Sequence, residues 1–184
     1  DMPDLNYNNP DVRQAAKDAA GHFLELGLDG FRMDAAVHIY GAHEFKQQED
    51  SEAANITWWN EFAGYCESIN PDVYLVGEVW QDDKVLENYV QPFDTKFDFA
   101  IQQKILNCVQ KGMAVPGFGD SLSVAIENIQ NKYDGVDANY LNGIFGANHD
   151  QDRIASSVNS LDKARQIAAV YMTLPGNPYI YYGE

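Results

Sequence analysis

Three acidic residues stand where apolar segments with the composition of buried β-strands come to an end. Asp34 and Glu78 follow such segments directly, and Asp150 follows a third one a few residues later. A buried, ionised carboxylate costs several kcal/mol unless it is paired and hydrogen-bonded. For Asp34 alone, a cap of the next helix is an equally good explanation. Three acids at three strand ends instead indicate a site that does chemistry.

Carboxylates at strand ends serve either metal binding or acid–base catalysis. A magnesium or manganese site built from oxygen ligands is one alternative. Zinc would prefer several His or Cys ligands, and of the four histidines only His38 and His149 lie at strand ends. Glycoside hydrolysis fits better, because it needs a nucleophilic carboxylate and a protonated one, about 5–5.5 Å apart in retaining enzymes. Adjacent strands lie about 4.8 Å apart, so neighbouring strand ends suit that separation.

Two further side chains beside these acids suit the same chemistry. Arg32 lies two residues before Asp34 and so faces the same side of a strand. A fixed cation there would keep Asp34 ionised and oriented, although a purely structural ion pair would look the same. Trp80 lies two residues after Glu78 and is predicted, with equal weight, as a platform that stacks on a sugar or as a core residue.

The composition narrows the class of protein. With 184 residues, 45% of them hydrophobic and 12% aromatic, the chain is long enough for one domain with a sizeable core. Its formal net charge of -16 would repel phosphate backbones and anionic membranes, so we expect neither nucleic acid nor membrane as a partner. Cys66 and Cys108 have no metal-binding or redox spacing, and we interpret both as small buried apolar residues.

Hydrophobic periodicity predicts how these residues are positioned. The predicted strands are 29–33, 73–77, 140–145 and 178–182, with an extended piece at 95–97. The predicted helices are 11–26, 56–69, 99–110, 121–133 and 160–174, with a short helix or turn at 82–90 and a polar excursion at 39–54. Strands and helices alternate with short connections, which indicates parallel strands covered by helices. The acids at the strand ends would then lie on one face.

Five segments of the chain resemble sequence regions of a known family. They are Met2–Asn6, Gly30–His38, Gly77–Trp80, Phe145–Asp150 and Pro175–Glu184. In order and spacing the first four are similar to four sequence regions of the alpha-amylase superfamily, glycoside hydrolase family 13, and the fifth resembles that family's eighth barrel strand. The resemblance spans the whole chain.

This resemblance implies an α/β fold, a partial (β/α)8 TIM barrel that runs from about strand 4 to strand 8 and lacks the first three strands. It implies that residues 1–10 are the end of an inserted domain B and a linker, and that residues 11–184 are the C-terminal part of the catalytic barrel. A barrel without three strands would have open edges. We therefore expect the 184 residues alone to be unstable or inactive.

The resemblance also implies a role for each acid. Asp34 resembles the nucleophile that forms a covalent glucosyl-enzyme intermediate, and Glu78 resembles the general acid/base. Asp150 resembles the third carboxylate, which holds the 2- and 3-hydroxyls of the sugar. The substrate-binding residues that the resemblance implies are Arg32, His38, Trp80, Asn148 and His149.

A structural calcium is a further implication. In many relatives, an acid in the first region and the backbone carbonyl of the histidine after the nucleophile bind this ion, and the matching positions here are Asp4 and His38. A turn acid is an equal alternative for Asp4. No organic cofactor is expected. Val37 stands where many alpha-amylases have lysine. The Met-Pro-Asp-Leu-Asn segment is intermediate between the oligo-1,6-glucosidase and neopullulanase patterns.

The leading hypothesis is a retaining α-glucan hydrolase that acts on α-1,4-glucosidic bonds of starch or maltooligosaccharides. An oligo-1,6-glucosidase, a cyclomaltodextrinase or a transglycosylase of the same family would use the same residues. A non-catalytic amylase-like binding module is an alternative of another class, disfavoured because all three carboxylates are present. A metal-dependent barrel enzyme with the acids as ligands is a further one. We expect an extracellular or cell-surface location rather than a cytoplasmic one.

Overall fold

The structure is a computed structural model, and it describes residues 4–41, 44–81, 83–111 and 121–184. The sequence predictions that involve Met2, Pro3, His43 and Asp82 fall outside the described residues. Within the described part of the chain, no helix is long and apolar enough to cross a membrane.

Helices and strands follow one another along the described residues. The helices are α1 (Pro10–Glu25), α2 (Gln48–Ile69), α3 (Asp83–Asn88), α4 (Phe99–Lys111), α5 (Leu122–Asp134), α6 (Ile154–Val158) and α7 (Leu161–Tyr171), with one 3₁₀ turn at Ala36–His38. The strands are β1 (Gly30–Met33), β2 (Tyr74–Gly77), β3 (Thr95–Lys96), β4 (Gly143–Phe145) and β5 (Asn177–Tyr179). The described residues divide into two compact units. One holds the chain up to Val79 together with Gln91–Asp94, and the other holds Trp80–Val90 and the chain from Thr95 onward.

Helix α2 begins eight residues earlier than the sequence predicts. The prediction of a polar segment outside any helix at 39–54 was wrong in its second half, because the helix already begins at Gln48. Glu49 and Asp50 lie in the first turn, where negative side chains interact favourably with the helix dipole. Ser51 and Asn55 are buried. The polar residues of this segment therefore belong to the first turns of a helix, and two of them are buried.

The later elements differ from their predicted bounds in length. Strands β4 and β5 are three residues each, shorter than the predicted 140–145 and 178–182, because they pair only from Gly143 opposite Asn177 to Phe145 opposite Tyr179. Helix α7 ends at Tyr171 and not at about Leu174, and the short helix α6 is not predicted. Strand β1 pairs in parallel with β2, and β4 pairs in parallel with β5, which confirms the α/β prediction.

The first unit is built around the parallel pair β1 and β2. Gly30 is paired with Tyr74, and a Cβ at Gly30 would collide with the Tyr74 backbone, so the strands can approach there only because the residue is glycine. Helices α1 and α2 are joined at Glu61, which forms ion pairs with Arg13 at 3.2 Å and Lys17 at 2.7 Å. The aromatic part of this core contains Trp58, Trp59, Phe62 and Phe93, and Cys66 is buried as predicted.

The second unit contains β4, β5 and a buried polar cluster. Lys96 and Asp98 are fully buried. Nζ of Lys96 lies 3.5 Å from the ring centre of Tyr133 and 4.6 Å from that of Tyr140. Asp98 accepts a hydrogen bond from the Tyr133 hydroxyl at 3.0 Å and caps α4 by accepting from the Ile101 N–H at 2.8 Å. Burial lowers the pKa of Lys96 to about 7, although the Asp98 charge opposes this, and burial raises the pKa of Asp98.

Candidate active site

Asp34 and Glu78 leave two adjacent parallel strands at the same level. Met33 of β1 is paired with Gly77 of β2, and the two acids are the next residues. The pairing continues one step further, since the Glu78 N–H donates to the Met33 carbonyl at 2.9 Å. The Glu78 carbonyl in turn accepts from the Ala36 N–H at 3.0 Å. The structure thus brings these two predicted residues together at one edge.

One arginine contacts both carboxylates. Nη1 of Arg32 donates a hydrogen bond to Oδ1 of Asp34 at 2.8 Å, and Nη2 lies 2.7 Å from Oε1 of Glu78. The second contact is an ion pair without hydrogen-bond alignment, because Oε1 accepts no well-aligned hydrogen bond from the described residues. The guanidinium therefore supplies positive charge to both acids, whereas the sequence predicts it beside Asp34 only.

The two carboxylates differ in how far they are enclosed. The Asp34 side chain is 75% exposed, and that of Glu78 is 8% exposed. Besides its contact with Arg32, Glu78 accepts a hydrogen bond on Oε2 from the Ala35 N–H at 3.1 Å. These two contacts restrict the orientation of the Glu78 carboxylate, whereas the Asp34 side chain remains exposed.

The residue between the acid and the following turn has an unusual backbone. Ala35 has φ 45° and ψ 45°, in the left-handed region. For a residue with a Cβ, this conformation costs roughly 1–2 kcal/mol, so surrounding contacts must hold it. In this conformation its N–H reaches Oε2 of Glu78. Alanine is the strongest helix former and carries no sequence signal for such a turn.

Helix α2 holds the loop that follows Ala35. Asn55 accepts a hydrogen bond from the Tyr40 N–H at 2.8 Å and donates to the carbonyls of Val37 at 2.9 Å and Tyr40 at 3.2 Å. Trp59 donates from Nε1 to the Ala36 carbonyl at 2.7 Å. The sequence does not single out either residue. The only available signal is their spacing of four, which puts a polar side chain on the apolar face of the helix.

The residues predicted to bind calcium do not form a metal site by themselves. Asp4 and His38 are exposed, and His38 ends the 3₁₀ turn with its N–H donated to the Ala35 carbonyl at 2.9 Å. Nowhere in the described ranges do three His, Cys, Asp or Glu side chains form a group that could hold a metal ion. The structural calcium therefore stays a prediction. At Asp34 and Glu78, a guanidinium already contacts both acids, and its charge disfavours a divalent cation at the same place.

Asp150 lies in the second unit, after β4. His149 approaches it, with Nε2 3.2 Å from Oδ2 of Asp150, and both side chains are exposed. Asn148 uses its side-chain oxygen to accept the Asp150 N–H at 3.0 Å. That contact is an Asx turn, so Asn148, predicted as a substrate-binding residue, sets the backbone of the acid.

Buried and semi-exposed polar side chains hold the loop that carries Asp150. Gln102 of α4 is buried and donates from Nε2 to the Gly146 carbonyl at 2.9 Å and to Oε1 of Gln151 at 3.1 Å. Arg153 donates to the Tyr182 carbonyl and lies over the Tyr182 ring, 4.8 Å from its centre. The loop is therefore attached to α4 on one side and to the segment after β5 on the other.

Trp80 is not the core residue that one alternative predicts, and its role as a sugar-stacking platform stays a prediction. Its ring is stacked on Phe99, with ring centres 4.6 Å apart and an angle of 10° between the planes. Even so, Trp80 is 48% exposed. Phe99 fixes the plane of the indole, and a large part of the residue remains at the surface, as a sugar-stacking platform requires.

Comparisons with known proteins agree on one family. The model of the family described as the alpha amylase catalytic domain matches residues 1–184. Alpha-amylase 3 of Dictyoglomus thermophilum is 40% identical over 187 residues, which cover 100% of this chain and 34% of that protein. The 4-alpha-glucanotransferase of Thermotoga neapolitana is 33% identical, over 99% of this chain and 36% of that protein.

A solved structure gives the same result. The crystal structure of alpha-amylase from H. orenii superimposes with a TM-score of 0.84 and 38% sequence identity, over 99% of this chain and 36% of that one. The chain spans about a third of the length of these relatives, since the covered shares are 34% and 36%.

Proposed function

Because the chain belongs to the alpha-amylase catalytic-domain family, we propose that it contributes to a retaining glycoside hydrolase. The proposed substrate is starch or maltooligosaccharide, cut at α-1,4-glucosidic bonds. The observation that carries the proposal is the pair Asp34 and Glu78, at the ends of adjacent parallel strands and joined by Arg32. We assign residues 1–10 to the end of an inserted domain and 11–184 to about strand 4 to strand 8 of a (β/α)8 barrel.

In the first step, an oxygen of the Asp34 carboxylate attacks the anomeric carbon of the sugar. The glycosidic bond breaks, Glu78 gives its proton to the leaving oxygen, and a covalent glucosyl ester forms on Asp34. In the second step, ionised Glu78 takes a proton from water, and the water oxygen attacks the anomeric carbon. The ester bond breaks, and both acids return to their starting states.

We assign roles in these steps to further residues. Arg32 stabilises the negative charge that Asp34 carries before attack and that Glu78 carries after it has given up its proton. We assign Asp150 and His149 to the binding of sugar hydroxyls, because both side chains are exposed and lie side by side. Trp80, stacked on Phe99, would pack against a sugar face.

Transglycosylation is a second candidate activity. The 33% identity to a 4-alpha-glucanotransferase favours it, over 99% of this chain. A sugar hydroxyl would then replace water in the second step. Incubation with maltotriose separates the two outcomes. A hydrolase raises the number of reducing ends, whereas a transferase redistributes chain lengths without raising it.

The test of the proposed function is Glu78→Gln in the intact protein. We expect starch hydrolysis to fall by about 10²–10⁴-fold, since general acid–base catalysis is lost. α-Maltosyl fluoride should still react in the first step, because its leaving group needs no proton. Glu61→Gln removes a surface acid of the same unit, paired with Arg13 and Lys17, and should leave turnover unchanged. Wild-type hydrolysis of starch by Glu78→Gln would refute the assignment.

A further inference from the structure

We infer that Asn55 of α2 is a positioning residue for Asp34, because it holds the loop that leaves this acid in the conformation that catalysis requires. The inference rests on the proposed function. Asn55 is 1% exposed and lies under the loop, where its described contacts are to backbone groups. It therefore acts through the loop and not on the sugar.

Hydrogen bonds from Asn55 attach the loop to helix α2. Its side-chain oxygen accepts the Tyr40 N–H at 2.8 Å, and its side-chain nitrogen donates to the carbonyls of Val37 at 2.9 Å and Tyr40 at 3.2 Å. One amide thus hydrogen-bonds to three backbone groups in and just after the short 3₁₀ turn. Trp59, one helical turn later, adds a fourth contact through the Ala36 carbonyl at 2.7 Å.

The other side of the same turn is attached to β2. The Ala36 N–H donates to the Glu78 carbonyl at 3.0 Å, and the Ala35 N–H donates to Oε2 of Glu78 at 3.1 Å. Ala36 is therefore held from both sides, by Glu78 and by Trp59. The left-handed backbone of Ala35, with φ 45°, lies at the centre of these contacts.

A strained conformation persists only where its surroundings over-determine it. If the helix-side contacts are lost, Ala35 can relax toward an ordinary negative φ. Its N–H would then leave Glu78, and the backbone of the adjacent Asp34 would rotate. Displacement of a reacting group by about 1 Å can lower the rate about 10²-fold, so the loop contacts matter for turnover.

Two variants of the intact protein test the inference by different routes. Asn55→Ala removes the amide, and Trp59→Phe removes the Nε1 donor with part of the indole while it keeps an aromatic ring in the core. Asn60→Ala, on the same helix at an exposed position, is the matched control. We expect kcat on maltooligosaccharides to fall about 10–100-fold for the first two and to stay within twofold for the control. KM should change less than threefold.

A second measurement separates positioning from a general loss of structure. The rate at which a 5-fluoro-glucosyl fluoride labels Asp34 should fall in parallel with kcat. The double variant Asn55→Ala/Ala35→Gly should recover part of the lost kcat, because glycine adopts a positive φ without strain.

The results of these experiments distinguish failure of this inference from failure of the proposed function. Folded Asn55→Ala and Trp59→Phe proteins with unchanged kcat and labelling rate would overturn the inference, and so would a double variant that recovers nothing. If Asn55→Ala does not fold, Trp59→Phe decides in the same way. If Glu78→Gln retains wild-type turnover, the proposed function and this inference fall together. If Glu78→Gln is inactive and the loop variants are fully active, only the inference falls.

Discussion

The buried lysine of the second unit should make stability depend on pH. Burial lowers the pKa of Lys96 from 10.5 to about 7. The folded-state pKa therefore lies below the unfolded one, and between these values the unfolded chain binds more protons. The free energy of unfolding then rises with pH across this window, and the cost of burying the charge is fully present below pH 7.

The size of the effect follows from the shift. One pKa unit corresponds to about 1.36 kcal/mol. From pH 7 to 9, the unfolded lysine stays charged and the folded one loses its proton, which raises the free energy of unfolding by roughly 2 kcal/mol. Two neighbours oppose this shift. They are the Asp98 carboxylate and the Tyr133 ring, whose centre lies 3.5 Å from Nζ.

The measurement compares urea unfolding of the wild type and Lys96→Met at pH 7, 8 and 9. The wild type should gain roughly 2 kcal/mol relative to the variant over this range. The same comparison in an Asp98→Asn background removes the titration of the neighbouring acid. Lys163→Met, at a surface position, should show no such pH-dependent difference. A constant difference between wild type and Lys96→Met would show that Lys96 stays charged when folded, held by Asp98 and the tyrosine rings.

Two predictions concern the proposed reaction. Arg32→Lys should lower kcat on maltooligosaccharides about 10²-fold with little change in thermal stability, because one ammonium cannot span both carboxylates as the planar guanidinium does. Unchanged kcat would contradict the bridging role. Trp80→Ala should raise KM several-fold and change kcat little, since the half-exposed ring is proposed to stack on a sugar. Trp80→Phe is the matched control, and an unchanged KM for Trp80→Ala would argue that this residue only covers Phe99.

The order of elements, except for the short helix α6, could be predicted from the sequence. So could the edge of the sheet that carries Asp34 and Glu78. Apolar segments that run directly into an acid mark strand ends, and parallel strands bring such ends together. The contact between Arg32 and Glu78 could not be predicted, because it depends on the strand register of Met33 opposite Gly77. Register is a tertiary property, and one residue of slip would change it.

Polar residues that act inside the fold were harder to identify. In the sequence, Asn55 lies between the polar segment at 39–54 and the predicted helix at 56–69, so the composition indicates a boundary there, whereas the structure places it inside α2. Lys96 lies in a short extended segment that gives no sign of burial. Ala35 has no side-chain signal for its positive φ. Most of the groups that these residues contact are distant in sequence or belong to the backbone, so pattern and propensity do not reveal them.

Arg32, which contacts both acids, can act in both steps of the proposed reaction. Before attack, the positive charge of Arg32 lies between two acids, 2.8 Å from Asp34 and 2.7 Å from Glu78. When the sugar ester forms, Asp34 becomes neutral, and Glu78 is then the anionic partner that remains for the guanidinium. In the second step, in which Glu78 takes a proton from water, the positive charge of Arg32 therefore pairs with Glu78 alone. The same cation thus supports the nucleophile in the first step and the base in the second.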